Sequence, residues 1–344
     1  MPEIFIQPVT DRQQCFTCHK TVTGKKKLSM CSRCHAITYC GASCQKADWP
    51  RHVSNCIPVM VTEYEGKGRG LVAARDIKMG EFIFLDKPAI KMPICSSFNI
   101  DSDNRRIFDQ LSGEDLHSLM RQVDNLSSEA KLLFYKLEAF QGKWTKELTI
   151  FALNARVSYT WKDMRLFLNT ILINHSCAPN AHEETTEDGN CEVRAIKDIS
   201  KGEEITTFYS IFEGCTYKKF GCNVKGRRKV LRETLGFDCM CSVCTGDIPD
   251  QENILKELLE LHNNLDPDTY SKKKLSIYVK AIDKMVDLSL QLYIGSLEDK
   301  VRALEMMAET AYQNHDEDRL EKAKMQLKKI AEDTKLKCLM EFRV

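Results

Sequence analysis

The sequence predicts an α+β fold in which a small zinc module precedes a strand-rich unit and a C-terminal helical region. Three observations lead to this prediction: cysteines cluster near the start, short strand patterns with turns alternate through the middle, and only helical periodicity follows. A chain of 344 residues is long enough to form two or three domains. We place the parts at 1–58, 59–235, 236–247 and 248–344, the third being a short cysteine segment.

The first part carries eight potential zinc ligands in pairs separated by two or three residues, a spacing typical of structural zinc sites. The ligands are Cys15, Cys18, Cys31, Cys34, Cys40, Cys44, His52 and Cys56. Eight ligands are enough for two tetrahedral sites. Because so short a segment cannot fold on apolar burial alone, zinc would supply most of its folding free energy. The alternative, coincidental reduced cysteines, does not account for the spacing.

The second part begins with a glycine-rich turn, Gly66-Lys67-Gly68-Arg69-Gly70, between short strands. Taken alone, such a run indicates a hairpin more often than a cofactor loop. Further strands are expected at 82–85 and between 192 and 209. Between these strand clusters, at about 100–165, apolar residues recur at helical spacing. This stretch therefore predicts a helical insertion whose apolar stripes pack into a core.

The centre of the chain holds the motif Asn174-His175-Ser176-Cys177, which follows an apolar run at 170–173. We expect a buried strand end here, where two polar side chains and a thiol require partners. By itself the motif fits an ordinary strand-to-turn junction as well as a functional site. A later cluster, Cys239, Cys241 and Cys244, lacks the fourth ligand of a tetrahedral zinc site, and Cys177 is available to complete it.

The remaining chain, from residue 248, predicts three or four amphipathic helices, at roughly 252–263, 270–293, 297–313 and 317–338. Two roles are open for this region. It either walls one side of a substrate cleft or serves only as a stabilising cap.

Composition restricts the function classes. The chain is 43% hydrophobic and 29% charged with a formal net charge of +1, which argues against direct nucleic-acid binding and against attraction to anionic membranes. No apolar run approaches the length of a membrane span, and the first ten residues lack the pattern of a signal peptide. We therefore expect a protein of the cytoplasm and nucleus with no membrane association.

Four motifs in a fixed order carry a resemblance. The glycine turn, the Asn-His-Ser-Cys motif, Gly202-Glu203-Glu204-Ile205 leading to Tyr209, and the later cysteine cluster together resemble a SET-domain protein methyltransferase. The cysteine block in front of them narrows the resemblance to the SMYD family, whose members join a SET domain to a MYND zinc module. The resemblance covers roughly 15–245. In the better-known members MYND interrupts the SET domain, whereas here the module precedes the glycine turn, an arrangement similar to an arthropod branch of the family.

For the fold, the resemblance implies a SET-domain β-clip with a pseudoknot and a helical insertion, followed by a tetratricopeptide-like helical region. It also implies how three zinc ions are held. The two cross-braced MYND sites and the site after the SET domain would have these ligands: Cys15, Cys18, Cys40 and Cys44; Cys31, Cys34, His52 and Cys56; Cys177, Cys239, Cys241 and Cys244.

For the chemistry, the resemblance implies a protein-lysine N-methyltransferase that uses S-adenosylmethionine and acts on histone or non-histone proteins, with roles in chromatin and transcription. The implied cofactor-binding residues are Lys67, Gly68, Arg69, Asn154, Asn174, His175, Tyr209 and Phe237. In this interpretation Gly68 allows close approach to the cofactor, and Phe237 lies over the adenine. The Tyr209 hydroxyl orients the amine and the methyl group, which makes Tyr209 the catalytic residue.

Several alternatives stay open at this point. Asn154 is as readily an ordinary helix-end asparagine. Before the Asn-His-Ser-Cys motif the family has a glycine-containing Leu-Tyr-Pro segment, whereas this chain has Arg165-Leu166-Phe167-Leu168. We therefore expect the wall of the pocket formed by this segment to differ in shape. The resemblance implies that MYND binds short proline-containing peptides, and we expect a monomer. A competing function is a catalytically inactive adaptor or co-repressor scaffold, against which the retained Tyr209 argues.

Overall fold

The computed structural model describes residues 14–21, 28–34, 37–53, 56–93, 113–139, 145–157, 162–209, 224–246 and, with gaps, 301–335. Within these ranges no helix is long and apolar enough to cross a membrane. The helices predicted at 252–263 and 270–293 lie outside the described residues.

The described residues form twelve short strands and seven α-helices. The strands are β1 (Ser29–Met30), β2 (Thr38–Tyr39), β3 (Val59–Tyr64), β4 (Gly68–Ala73), β5 (Phe82–Asp86), β6 (Ile90–Pro93), β7 (Arg156–Val157), β8 (Asp163–Leu166), β9 (Asn174–His175), β10 (Ala181–Thr185), β11 (Cys191–Ala195) and β12 (Glu204–Thr207). The helices are α1 (Ala42–His52), α2 (Gly113–Asp124), α3 (Ser128–Phe134), α4 (Lys146–Asn154), α5 (Val224–Leu235), α6 (Ser242–Thr245) and α7 (Glu317–Thr334).

Three small sheets form the strand-rich unit. Their strand orders are β3-β4-β12-β9, β10-β11-β5 and β6-β8-β7. In the first sheet β12 is antiparallel to β4 and parallel to β9, pairing Thr206 with Asn174 and Thr207 with His175. The Asn-His-Ser-Cys motif therefore runs beside the segment that leads to Tyr209, although the two are far apart in sequence.

The apolar run in front of this motif differs from the predicted strand. Thr170–Leu172 is a 3-10 turn, and only Asn174–His175 is strand. The cause is the buried carboxylate of Asp86, which accepts hydrogen bonds from the backbone N–H of Asn169 (2.8 Å) and of Thr170 (2.7 Å). An anionic acceptor at these unpaired N–H groups starts a helical turn. The turn places His175 at a strand that is only two residues long.

Two apolar cores support the strands. One lies between the first two sheets and includes Leu71, Phe84, Ile173, Val193 and Ile205. The other joins the β6-β8-β7 sheet to the insertion helices. Its buried residues include Ile90, Leu119, Phe134, Ile150 and Leu166. The predicted helical insertion is thus present as α2, α3 and α4, packed on the third sheet.

The described C-terminal helices contact the strand-rich unit. The prediction of a helix break near residue 314 is confirmed, because His315 has φ of 55° and the Asp316 side chain caps α7. Gly80 lies against this region, since a Cβ there would meet the carbonyl oxygen of Asp333 at 2.4 Å. Ile196 packs against the apolar face that includes Leu327.

The zinc module is attached through the same part of the strand-rich unit. Arg75 donates from Nε to the carbonyl oxygen of Arg33 at 2.9 Å, and its guanidinium also pairs with Glu81. Arg75 and Gly80 are separated by only a short loop. The segment before β5 therefore contacts both the zinc module and the C-terminal helices.

Asp86→Ala should lower stability, because it removes the acceptor of four hydrogen bonds from Asn169 and Thr170. Each buried donor left unpaired costs about 1–3 kcal/mol. We expect a clear drop in the urea midpoint followed by circular dichroism. Asp198→Ala, which removes an exposed carboxylate paired with Lys78, is the control and should leave the midpoint nearly unchanged. Equal midpoints for both variants would contradict this role of Asp86.

Candidate functional site

Among the described residues, twelve cysteine and histidine side chains form three groups of four, and in each group the potential ligand atoms all lie within 4.8 Å of one another. The groups are Cys15, Cys18, Cys40 and Cys44; Cys31, Cys34, His52 and Cys56; Cys177, Cys239, Cys241 and Cys244. This grouping is the one that the resemblance implied, including the cross-brace in the first part of the chain.

The spacing of the sulfur atoms fits tetrahedral zinc. With Zn–S bonds of about 2.3 Å, two sulfur ligands lie about 3.8 Å apart. Cys31 and Cys56 have their Sγ atoms 3.7 Å apart, and His52 Nε2 is 3.4 Å from Cys31 Sγ. In the third group Cys177 Sγ lies 3.6 Å from Cys244 Sγ and 4.0 Å from Cys239 Sγ. Four soft ligands at these distances form a closed structural site, with no position left for a reacting group.

A single imidazole connects the third zinc group to the strand pair. His175 Nδ1 accepts a hydrogen bond from the backbone N–H of Tyr209 at 3.0 Å, and His175 Nε2 lies 3.4 Å from Cys177 Sγ. Burial lowers the pKa of His175 to about 4, so the ring is neutral at pH 7. Since Nδ1 accepts, the proton is on Nε2 and is directed at the sulfur. The backbone position of Tyr209 is therefore tied to the zinc ligand Cys177.

The Tyr209 side chain is also fixed. Its hydroxyl donates to the carbonyl oxygen of Ile173 at 2.7 Å. Burial raises the pKa of Tyr209 to about 12, so the phenol keeps its proton at neutral pH. The ring lies 5.3 Å from the His175 ring and 6.3 Å from the Phe237 ring, centroid to centroid. Phe237 and Tyr209, predicted as neighbours of one cofactor, are thus brought together.

A buried ion pair lies beside Tyr209 and was not predicted. The Arg156 guanidinium carbon is 5.5 Å from the centroid of the Tyr209 ring, and Arg156 Nε donates to Glu183 Oε1 at 3.2 Å. Both charged side chains are largely buried. The signal that would have revealed Glu183 is strand alternation, which places it on the apolar face of β10. Arg156, two residues after a helix end, has no such signal.

The glycine turn is a β-hairpin, the more common interpretation of its sequence. Gly68 has φ of 74°, and a Cβ there would meet no protein atom within 4 Å, so its predicted close approach to the cofactor stays a prediction. Close approach occurs at Gly70, where a Cβ would lie 2.6 Å from Asn174 Nδ2 and 2.7 Å from the Tyr64 ring. Gly68 instead provides a left-handed backbone conformation that other residues rarely adopt.

The polar side chains of this hairpin contact other parts of the chain. Lys67 Nζ lies 2.9 Å from Glu204 Oε2, and Asn174 Nδ2 donates to Glu204 Oε1 at 2.8 Å. Arg69 donates to the carbonyl oxygen of Lys136 at 3.2 Å. One carboxylate thus joins the hairpin to the Asn-His-Ser-Cys motif, while Arg69 reaches the helical insertion.

Asn154 ends α4, and both hydrogens of its amide are used. Nδ2 donates to the carbonyl oxygens of Glu138 (3.0 Å) and Ile150 (2.7 Å). These bonds suit an ordinary helix-end asparagine. Its predicted cofactor contact stays a prediction.

Two family sequence models match this chain. The MYND finger matches residues 15–56, and the SET domain matches residues 68–210. In carrying both a MYND finger and a SET domain, the chain resembles the SMYD family. The predicted order, with MYND in front of SET, is confirmed, as is the predicted fold class of a SET domain with an N-terminal zinc module.

Curated SMYD proteins of animals and one plant protein align with most of the chain. It is 27% identical over 258 residues to the Mus musculus histone-lysine N-methyltransferase SMYD3, covering 71% of this chain and 56% of that protein. It is 27% identical over 253 residues to the Homo sapiens N-lysine methyltransferase SMYD2, covering 69% and 52%. It is 28% identical over 256 residues to the Arabidopsis thaliana histone-lysine N-methyltransferase ASHR1, covering 69% and 47%. The chain spans about half the length of these relatives.

The residues around Tyr209 fit S-adenosylmethionine, the cofactor of SET domains. β9 is the edge strand of its sheet, and on its outer side no strand pairs with it among the described residues. The backbone groups of β9 that face outward can therefore bind an amino-acid group. The half-buried Phe237 ring lies 6.0 Å from the His175 ring and offers an aromatic face.

Metal analysis of protein purified without chelators should give about three zinc ions per chain, one for each group of four ligands. Cys177→Ser should remove one ion and weaken cofactor binding, because Cys177 contacts His175. Cys191→Ser is the control. That thiol is buried in β11 outside the three groups, and the variant should retain all three ions. A full zinc content in Cys177→Ser would contradict the third site.

Gly70→Ala should weaken S-adenosylmethionine binding by about tenfold or more in calorimetry, since a Cβ 2.6 Å from Asn174 Nδ2 must displace β9 or the amide. Gly113→Ala, at the start of α2 with nothing within 4 Å of the new Cβ, is the matched control and should bind as the wild type does. Unchanged binding by Gly70→Ala would show that β9 does not hold the cofactor.

Proposed function

We propose that this chain is an S-adenosylmethionine-dependent protein-lysine N-methyltransferase acting on histone or non-histone proteins. The observation that carries the proposal is the fixed position of Tyr209, whose backbone N–H bonds to His175 and whose hydroxyl bonds to Ile173. A scaffold that only binds partners does not need a half-buried tyrosine held by both its backbone N–H and its hydroxyl. The SMYD relatives, which are named as lysine methyltransferases, give further support.

Methyl transfer to an amine is a direct displacement that needs a neutral nitrogen, a straight approach and exclusion of water. S-adenosylmethionine supplies the electrophilic methyl group when bound. The Tyr209 proton is committed to the Ile173 carbonyl, so the phenol oxygen presents its lone pairs and can accept an N–H of the target amine. The aromatic rings of His175, Phe208 and Phe237 exclude water around it. Desolvation there disfavours the ammonium form, and positioning supplies much of the rate.

The residues proposed to hold the cofactor lie on one edge of the first sheet. Asn174 and His175 would bind its amino-acid end through backbone groups, and Phe237 would cover the adenine. Gly68 and Lys67, at the hairpin turn, are proposed to flank it on the side of β4. Lys67 would then keep its ion pair with Glu204, which is partly exposed.

The zinc module is proposed to bind short proline-containing peptides of other proteins. Trp49, on α1, is 39% exposed, and an exposed indole is a suitable surface for a proline ring. Its two zinc sites are separate from the Tyr209 region, so partner binding and methyl transfer are proposed to be independent. We further propose a monomer that acts in the cytoplasm and nucleus.

Tyr209→Phe should reduce turnover by about 10²-fold while S-adenosylmethionine affinity stays within a few-fold, because the lost hydroxyl acts mainly in the transition state. Transfer of a labelled methyl group to core histones and a protein array measures turnover, and calorimetry measures affinity. Tyr135→Phe removes an exposed hydroxyl that donates to Glu147 in the insertion and is the matched control, with turnover unchanged.

The outcomes distinguish a methyltransferase from a catalytically inactive adaptor. Wild-type protein that binds the cofactor but modifies no protein would favour the adaptor. Full turnover in Tyr209→Phe would keep the enzyme and assign the reaction to another tyrosine, with Tyr217, outside the described residues, tested next.

A further inference from the structure

Glu183 is a charged residue on the apolar face of β10. In the antiparallel pair of β10 and β11, Glu183 is opposite Val193, Ala181 is opposite Ala195, and Thr185 is opposite Cys191. Because side chains alternate along a strand, these residues share one face. Ala181, Val193, Ala195 and Cys191 are all buried. A carboxylate in this setting needs compensation for the water it loses.

Within the described residues, only one of the two carboxylate oxygens of Glu183 has a hydrogen-bond partner. Oε1 of Glu183 accepts from Arg156 Nε at 3.2 Å. Oε2 is buried and, among the residues that the structure describes, has no hydrogen-bond partner. A carboxylate can accept several hydrogen bonds, and leaving a buried oxygen without one costs more than most structural ion pairs tolerate. The open oxygen therefore indicates a ligand with N–H or O–H groups.

The pair stands beside the proposed catalytic tyrosine. The Arg156 guanidinium carbon lies 5.5 Å from the centroid of the Tyr209 ring, and Arg156 Nε bonds to Glu183 Oε1. Thr207, two residues before Tyr209 on β12, also has a buried hydroxyl oxygen with no partner in the described part of the chain. Two uncompensated polar atoms thus occur in the segments around Tyr209, where the methyl acceptor would enter.

We propose that Glu183 is a substrate-binding residue whose Oε2 accepts a hydrogen bond from the side-chain ammonium of the target lysine. The proposal rests on the proposed function, because it assumes a lysine entering beside Tyr209. Arg156 bonds to Oε1 and so holds the Glu183 carboxylate in place. The Arg156–Glu183 pair has no net charge, which leaves the site able to accept a cation. Glu183 acts only in capturing the charged lysine. The amine then releases its proton to solvent before transfer at Tyr209, where desolvation disfavours the ammonium form.

The competing explanation is a purely structural ion pair that holds β7 near β10. In that case the charge of Glu183 would matter for stability but not for the kind of side chain that enters the site. The two explanations therefore differ in discrimination between a charged and an uncharged side chain of similar shape. Norleucine has the length of lysine without its amine and serves as that comparison.

The test uses the full chain saturated with S-adenosylhomocysteine and two degenerate peptide libraries that differ only at the central residue, lysine or norleucine. Wild-type protein should retain the lysine library about tenfold more than the norleucine library, as expected for a charged hydrogen bond in a buried site. Glu183→Gln should bring the ratio close to one, since the amide has the same shape but no charge. Glu184→Gln, the same change on the opposite face of β10, is the matched control and should retain the wild-type ratio.

A second variant tests whether a change in the ratio comes from loss of the charge or from loss of folding. Arg156→Met combined with Glu183→Val replaces the buried pair with apolar groups, which proteins often tolerate without losing stability. Zinc content and circular dichroism check that the fold is intact, and the ratio should again be close to one. A wild-type ratio near one, or a ratio that stays near tenfold in the folded charge-free variants, overturns the assignment. Labelled-methyl transfer by the wild type is measured separately, so failure of the enzyme proposal is distinguishable from failure of this one.

Discussion

The site depends on one neutral imidazole with a hydrogen-bonding neighbour on each side. His175 receives the Tyr209 N–H on Nδ1 and directs its own proton at Cys177 Sγ. Only the neutral tautomer with the proton on Nε2 makes both contacts, and the buried position of the ring maintains that form by lowering its pKa. The zinc ligands near residue 240, the strand β9 and the end of β12 are thereby held in one arrangement. The zinc ion in this arrangement has a positioning role, since its four ligands leave no open position.

The features that sequence reasoning found are those in which chemistry sets the spacing. Zinc requires four ligands, so the candidate ligands could be counted from their spacing, while the cross-braced grouping came from the resemblance to MYND modules and is confirmed. The position of Tyr209 followed from motif order. The run before Asn174 was misassigned as strand because its helical turn is induced by Asp86, more than eighty residues earlier in the chain. Local pattern carries no information about such a partner.

A similar limit applies to the glycine turn. Its three glycines are equivalent in the sequence, and only the neighbouring elements distinguish Gly70, which faces Asn174, from Gly68, which adopts a positive φ. Arg156 and Glu183 were missed because their significance comes from their contact with Tyr209. Glu183 would have been noticed if β10 had been recognised as a strand, since a charge on its buried face then breaks the alternation.

The strand order β3-β4-β12-β9 has a consequence for how the chain folds. The β3-β4 hairpin forms between neighbouring segments. In contrast, β12 pairs with the distant strand β4, at Leu71, and with the two-residue strand β9 in parallel. Contacts between segments so distant in sequence carry a large loop-closure entropy and form slowly. The pairing of β12 with β4 spans a much longer stretch of sequence than the pairing of β12 with β9, so it is the slower contact to form. During synthesis the hairpin and the zinc module can form early, while the edge beside Tyr209 must wait for the cysteine segment that follows it.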